Sequence, residues 1–122
     1  MVWLLGATVL FSGDIVYVEC MLSVILVSNS KTWLNAVKVI ENLAPQHFVP
    51  GHRKVSTLAV ARADTTDYLL ALRGHMKKAV DEDLDMSAVV RSFNDTPYTR
   101  LLNAADLMPG NANRVCLELE RE

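Results

Sequence analysis

The sequence predicts an α/β domain of the α+β kind, a small mixed β-sheet covered by helices and followed by a helical C-terminal region. Three observations carry this prediction. Short runs of β-branched and aromatic residues fill the first 52 positions, and two of them break at a glycine. Between those two, apolar residues recur every three or four positions from Trp33 to Leu43, the spacing of an amphipathic helix. From Ser56 onward helical spacing dominates and strand-like runs disappear. Residues 1–122 therefore read as one domain, with a β-rich part at 1–55 holding one β-α-β unit and a mostly helical part at 56–122.

Taken in order, Val2 to Leu5 and Thr8 to Phe11 are expected as two strands joined through Gly6-Ala7. Both are nearly continuous in apolar residues, the pattern of strands covered on both faces. Ile15 to Val18 and Met21 to Val27 extend the apolar zone, and Met21 to Val27 reads equally as strand or loop. Ser28-Asn29-Ser30 supplies N-caps for a helix that ends before Pro45. His47 to Val49 then returns as a short strand beneath it. Leu58, Ala61, Tyr68, Leu69, Leu72, Met76 and Val80 mark one face of a long helix, in which Gly74 is expected to permit close packing. Asp85 caps a short helix through Arg91, Pro97 begins another through Ala105, Pro109-Gly110 breaks it, and Asn111 opens the last.

At 122 residues the chain buries roughly two-thirds of its unfolded surface, enough for a core without disulfides or metal. A formal net charge of −2 and the absence of any basic stripe argue against nucleic acid as a partner. Cys20 and Cys116 form no CxxC pair and read as buried reduced thiols. The apolar stretch at Met1 to Phe11 lacks the basic start and small-residue cleavage site of a secretory signal, and no run approaches the ~20 residues that span a bilayer. A cytoplasmic protein is the expectation, with a periplasmic relative shorn of its leader as the alternative. The hydrophobic share of 51% exceeds what a lone small domain needs and points to an interface, most simply a homodimer.

Two strand tips hold the candidate site. Phe11-Ser12-Gly13 leads to Asp14, and Val49-Pro50-Gly51 leads to His52. Glycine lets a chain turn with positive φ or pass close to a ligand, so the residue after it faces a pocket unobstructed. In a β-α-β unit such sites lie beyond the carboxyl ends of the strands. His47 reads as a structural histidine. His75 reads as part of a solvated helix face, as do Arg62, Asp64, Asp67 and Arg73. Tyr17 and Trp33 read as core aromatics, and Glu82-Asp83-Asp85 as a solvated helix cap. No GxSxG, P-loop or GxGxxG occurs, and no catalytic residue is assigned.

The stretches Phe11-Ser12-Gly13-Asp14-Ile15-Val16-Tyr17 and Val49-Pro50-Gly51-His52, with Trp33 on the helix between them, resemble the C-terminal half of a metallo-β-lactamase-fold hydrolase. The resemblance continues through Ala63-Asp64-Thr65-Thr66-Asp67-Tyr68-Leu69, Ala71-Leu72-Arg73 and Gly110-Asn111-Ala112-Asn113-Arg114-Val115, and so covers most of the chain. It implies half of a four-layer αββα sandwich, with Asp14 bridging two metal ions and His52 binding one of them. Zinc is the implied cofactor, a complementary N-terminal half the implied partner, and metal-assisted hydrolysis the implied activity. The family's two-histidine motif followed by Asp-His belongs to that other half. His47, His52 and His75 show no such spacing, so the isolated chain is expected to be catalytically incomplete and metal-free. Two departures stand out. Arg53 takes the place of a second glycine, where it opposes a cation or grips a carboxylate or phosphate, and Cys20 stands where relatives carry arginine.

Overall fold

The computed structural model describes residues 1–122. Three strands, β1 (Val2–Leu4), β2 (Val9–Gly13) and β3 (His47–Pro50), form one mixed sheet in the order β1-β2-β3. A single 3₁₀ turn, Leu5–Ala7, joins β1 to β2, which run antiparallel with Trp3 opposite Leu10. Helix α1 (Ser30–Leu43) crosses over and returns β3 parallel to β2, with Leu10 opposite Phe48. The β-α-β unit is thus present. Asn29 caps α1 by accepting from the Thr32 amide at 2.9 Å, and Ala44 ends it in the left-handed conformation.

Leu10, Val37, Ile40 and Phe48 are buried between α1 and the sheet, each such burial contributing about 1.5–3 kcal/mol. The opposite face of the sheet is open. Val2, Leu4 and Phe11 are 56%, 47% and 41% exposed, which corrects the expectation that both faces are covered. An apolar run on a strand reports what the residues prefer, not whether another layer packs on them.

Residues 14–29 carry neither helix nor named strand, which resolves Met21 to Val27 as loop. Met21, Leu22 and Val24 point into the larger core, while Ile25, Leu26 and Val27 swing outward. Asn111 holds this loop from inside the protein. Its Oδ1 accepts from the Val24 amide at 2.7 Å, and its Nδ2 donates to the Leu22 carbonyl at 2.8 Å and to the Tyr68 hydroxyl at 3.1 Å.

The second half is helical: α2 (Leu58–Ala61), one π turn (Arg62–Thr66), α3 (Asp67–Asp81), α4 (Met86–Ser92) and α5 (Ala104–Leu119). Tyr68, Leu69, Leu72 and Met76 of α3 pack with Ala112, Val115 and Cys116 of α5 as the main core. Cys20 and Cys116 are buried and unpaired. Asp85 caps α4 as the sequence predicts, accepting from the Ala88 amide at 2.8 Å. Three expectations are corrected. A Cβ on Gly74 would meet nothing within 4 Å, so that glycine serves no close packing. Residues 97–100 form turns, and the helix opens at Ala104 after Asn103 adopts a left-handed backbone. Pro109 lies inside α5, where Ala105 and Pro109 are both exposed, so the Ala105 carbonyl that lacks an amide donor is not buried away from solvent.

Candidate functional site

β2 ends in Gly13 at φ +58°, after a register shift opposite Val49 and Pro50. The Gly51 amide donates to the Gly13 carbonyl at 3.1 Å, closing the two strand tips together. Here glycine is obligatory, because a Cβ on Gly51 would sit 2.8 Å from the Gly13 carbonyl carbon. The closure brings Asp14 and His52 together, with Asp14 Oδ1 3.1 Å from His52 Nε2. Both side chains remain largely open to solvent.

Two aromatic rings, read as core residues from the sequence, form the wall behind this pair. Tyr17 stacks on the His52 imidazole with ring centres 6.0 Å apart, and Trp33 lies 6.1 Å beyond Tyr17. Neither ring is loose. Trp33 Nε1 donates to the Ile15 carbonyl, and Thr65 Oγ1 accepts from the Tyr17 amide at 2.9 Å while donating to its carbonyl at 2.7 Å. Burial raises the Tyr17 hydroxyl above the ordinary tyrosine pKa, and the neighbouring Asp14 carboxylate and Cys20 push in the same direction.

The wall separates two clefts. On the Asp14 side a cleft of about 500 Å³ is lined by Ile15, Tyr17, Trp33 and Ala36, with Ile25 and Val27 at its lip. On the His52 side a second cleft of about 410 Å³ runs past Arg53, Cys20, Met21 and Asn103. Arg53, which lines the same cleft as His52, has φ +76°, outside the range most residues prefer and so held at some backbone cost.

Two ligands of one tetrahedral zinc, with bonds near 2.0–2.1 Å, lie roughly 3.3 Å apart, so the Asp14–His52 separation suits a shared ion. The remaining donors do not converge on it. No group of three or more His, Cys, Asp or Glu side chains is arranged to hold a metal. His47 is exposed on the open sheet face rather than structurally satisfied. His75 is also reassigned from the solvent face, since its Nε2 donates to the Val89 carbonyl at 2.8 Å and its ring packs against Phe93.

Sequence reasoning missed the residues that hold the loop carrying Tyr17. Asp64, expected on the surface, is fully buried in the π turn. It accepts from the Glu19 amide at 2.8 Å and from Arg100. Arg73 is likewise mostly buried, donating to Ser30 Oγ at 2.7 Å and pairing with Glu122. A polar run, Asp64-Thr65-Thr66, inside an otherwise apolar-periodic helix was the available signal.

No protein-family model matches the chain, and no curated protein matches it. No helix is long and apolar enough to cross a membrane.

Proposed function

We propose that this chain is the C-terminal half of a metallo-β-lactamase-type zinc hydrolase, contributing Asp14 and His52 to a metal site that a complementary N-terminal half completes. The observation that supports this reading is the 3.1 Å pairing of Asp14 and His52 at the carboxyl ends of two parallel-paired strands. Zinc, when bound, would activate water against an ester, thioester or lactam carbonyl. The chain's own residues orient that chemistry: Gly51 lets the strand tips close, Tyr17 stacks on His52, and Arg53 receives the carboxylate that hydrolysis creates. With two ligands, the chain alone falls short of the three that catalytic zinc ordinarily takes from protein. Two unpaired thiols favour a reducing, cytoplasmic setting.

The test is to combine the purified chain with an N-terminal half carrying the family's histidine motif, confirm pairing by size, and assay an ester, thioester and lactam panel. Zinc-dependent turnover that Asp14→Ala and His52→Ala abolish is the expected result. A paired complex with no zinc-dependent turnover overturns it.

The open sheet face favours a second reading, a non-catalytic homodimeric module that serves as a structural or small-molecule-binding unit. Val2, Leu4 and Phe11 would be covered by the same face of a second copy about a two-fold axis. Light scattering decides it: a dimer that Phe11→Lys dissociates supports this version, and a monomer at micromolar concentration sinks it.

A further inference from the structure

The cleft on the Asp14 side has a character the metal reading does not use. Its floor is aromatic and aliphatic, and Asp14 is the one charged side chain in its lining. Trp33 and Tyr17 pack against each other with ring centres 6.1 Å apart at an interplanar angle of 56°, and both line the cleft, so they present one aromatic wall to a group seated in it. Both are fixed before any ligand arrives, Trp33 through its indole N–H and Tyr17 through both of its backbone hydrogen bonds to Thr65. At the lip, Ile25 and Val27 stand 52% and 90% exposed, held outward by the mutual hydrogen bonds of Ile25 and Ser28.

We propose that this cleft is a binding site for an organic cation, an alkyl- or arylammonium group with a small apolar body. The ammonium charge would rest against the electron-rich ring faces within reach of the Asp14 carboxylate, and the apolar body would cover Ile25 and Val27. An anionic ligand meets a carboxylate and no cation there. The inference is independent of the metal reading, because it needs neither a metal ion nor a second half.

Binding of hexyltrimethylammonium, 1-hexanol and hexanoate to the full chain is compared by indole and amide NMR shifts at pH 8 in EDTA, which removes any metal. The cation is expected to bind roughly three- to thirtyfold tighter than the alcohol, to shift the Trp33 indole resonance, and to outrank hexanoate further. Asp14→Asn, a near-isosteric change at a largely exposed side chain, should erase most of the preference over the alcohol, and Trp33→Phe should retain part of it. Equal affinity for the three probes, a preference for hexanoate, or an undiminished cation preference in Asp14→Asn would overturn the proposal. Because every measurement is made without zinc, failure of the hydrolase reading leaves this result standing, and the converse holds as well.

Discussion

Gly51 and Asp14 are in contact across the tips of β2 and β3: a Cβ built on Gly51 would fall 2.6 Å from Asp14 Oδ1. The absence of a side chain at position 51 is therefore what lets the Asp14 carboxylate lie beside His52. Gly51→Ala should displace Asp14 and part the Gly51–Gly13 hydrogen bond, at a cost of about 1–3 kcal/mol typical of overpacking. Urea denaturation measures the loss, and amide shifts at Gly13 and Asp14 locate it. Unchanged stability and shifts would contradict the contact.

Asp64 ties the π turn to the loop after Asp14. Asp64→Ala leaves the Glu19 amide without its acceptor and should destabilise the fold by about 1–3 kcal/mol. Arg100→Ala should cost a comparable amount, because it leaves the buried Asp64 carboxylate without its charge partner. A double-mutant cycle should show the two losses failing to add. Additive losses would mean the Asp64–Arg100 pair is not coupled.

Burial lifts the Tyr68 hydroxyl from 10.0 to about 12, partly opposed by the hydrogen bond from Asn111. The folded pKa lies above the unfolded one, so the unfolded chain gives up this proton first. The associated stability is fully present below pH 10 and is lost as pH rises through about 12. Between those limits the loss amounts to roughly 3 kcal/mol. Tyr68→Phe should flatten the alkaline limb of a stability–pH curve between those limits, and an unaltered limb would assign the loss to other groups.

Pro109 interrupts the hydrogen-bond ladder of α5 at a solvent-facing position. Pro109→Ala restores a donor for the Ala105 carbonyl and should stabilise by about 1–3 kcal/mol, after allowing for the freer unfolded chain. The urea midpoint should rise at constant slope. No gain would show that α5 is not regular through that turn.

The parts of this fold legible from sequence are those decided within a few residues. Asn29 and Asp85 announce their helices because a cap is a local contract between a side chain and an amide three positions on. The strand tips at Gly13 and Gly51 were legible for the same reason, and their juxtaposition followed from the β-α-β connection.

Long-range decisions were hidden. The polar run Asp64-Thr65-Thr66 marks an irregular turn but not what Asp64 binds, because its partners lie at Glu19 and Arg100. His75 depends on Val89 and Phe93 in the same way. Composition likewise could not say that one face of the sheet is bare, since Val2 and Phe11 look like core residues whether or not a second layer exists. Pro97 and Pro109 misled for a different reason. Proline is an ordinary helix opener and breaker, but the left-handed Asn103 sets where α5 starts, and solvent tolerates Pro109 within it.

The π turn at Arg62–Thr66 turns three successive residues, Asp64, Thr65 and Thr66, toward the interior. Asp64 and Thr65 fasten the loop that carries Tyr17, while Tyr68 begins the face that fills the core. The two faces are thus set in phase by the number of residues between Ala61 and Tyr68. Each residue of helix is worth about 100° of rotation. Side chains in this stretch can vary, yet losing or gaining a single position would turn the core face of α3 out of alignment with its anchor. Chain length, more than chemical identity, is the constraint that this segment places on any homologue.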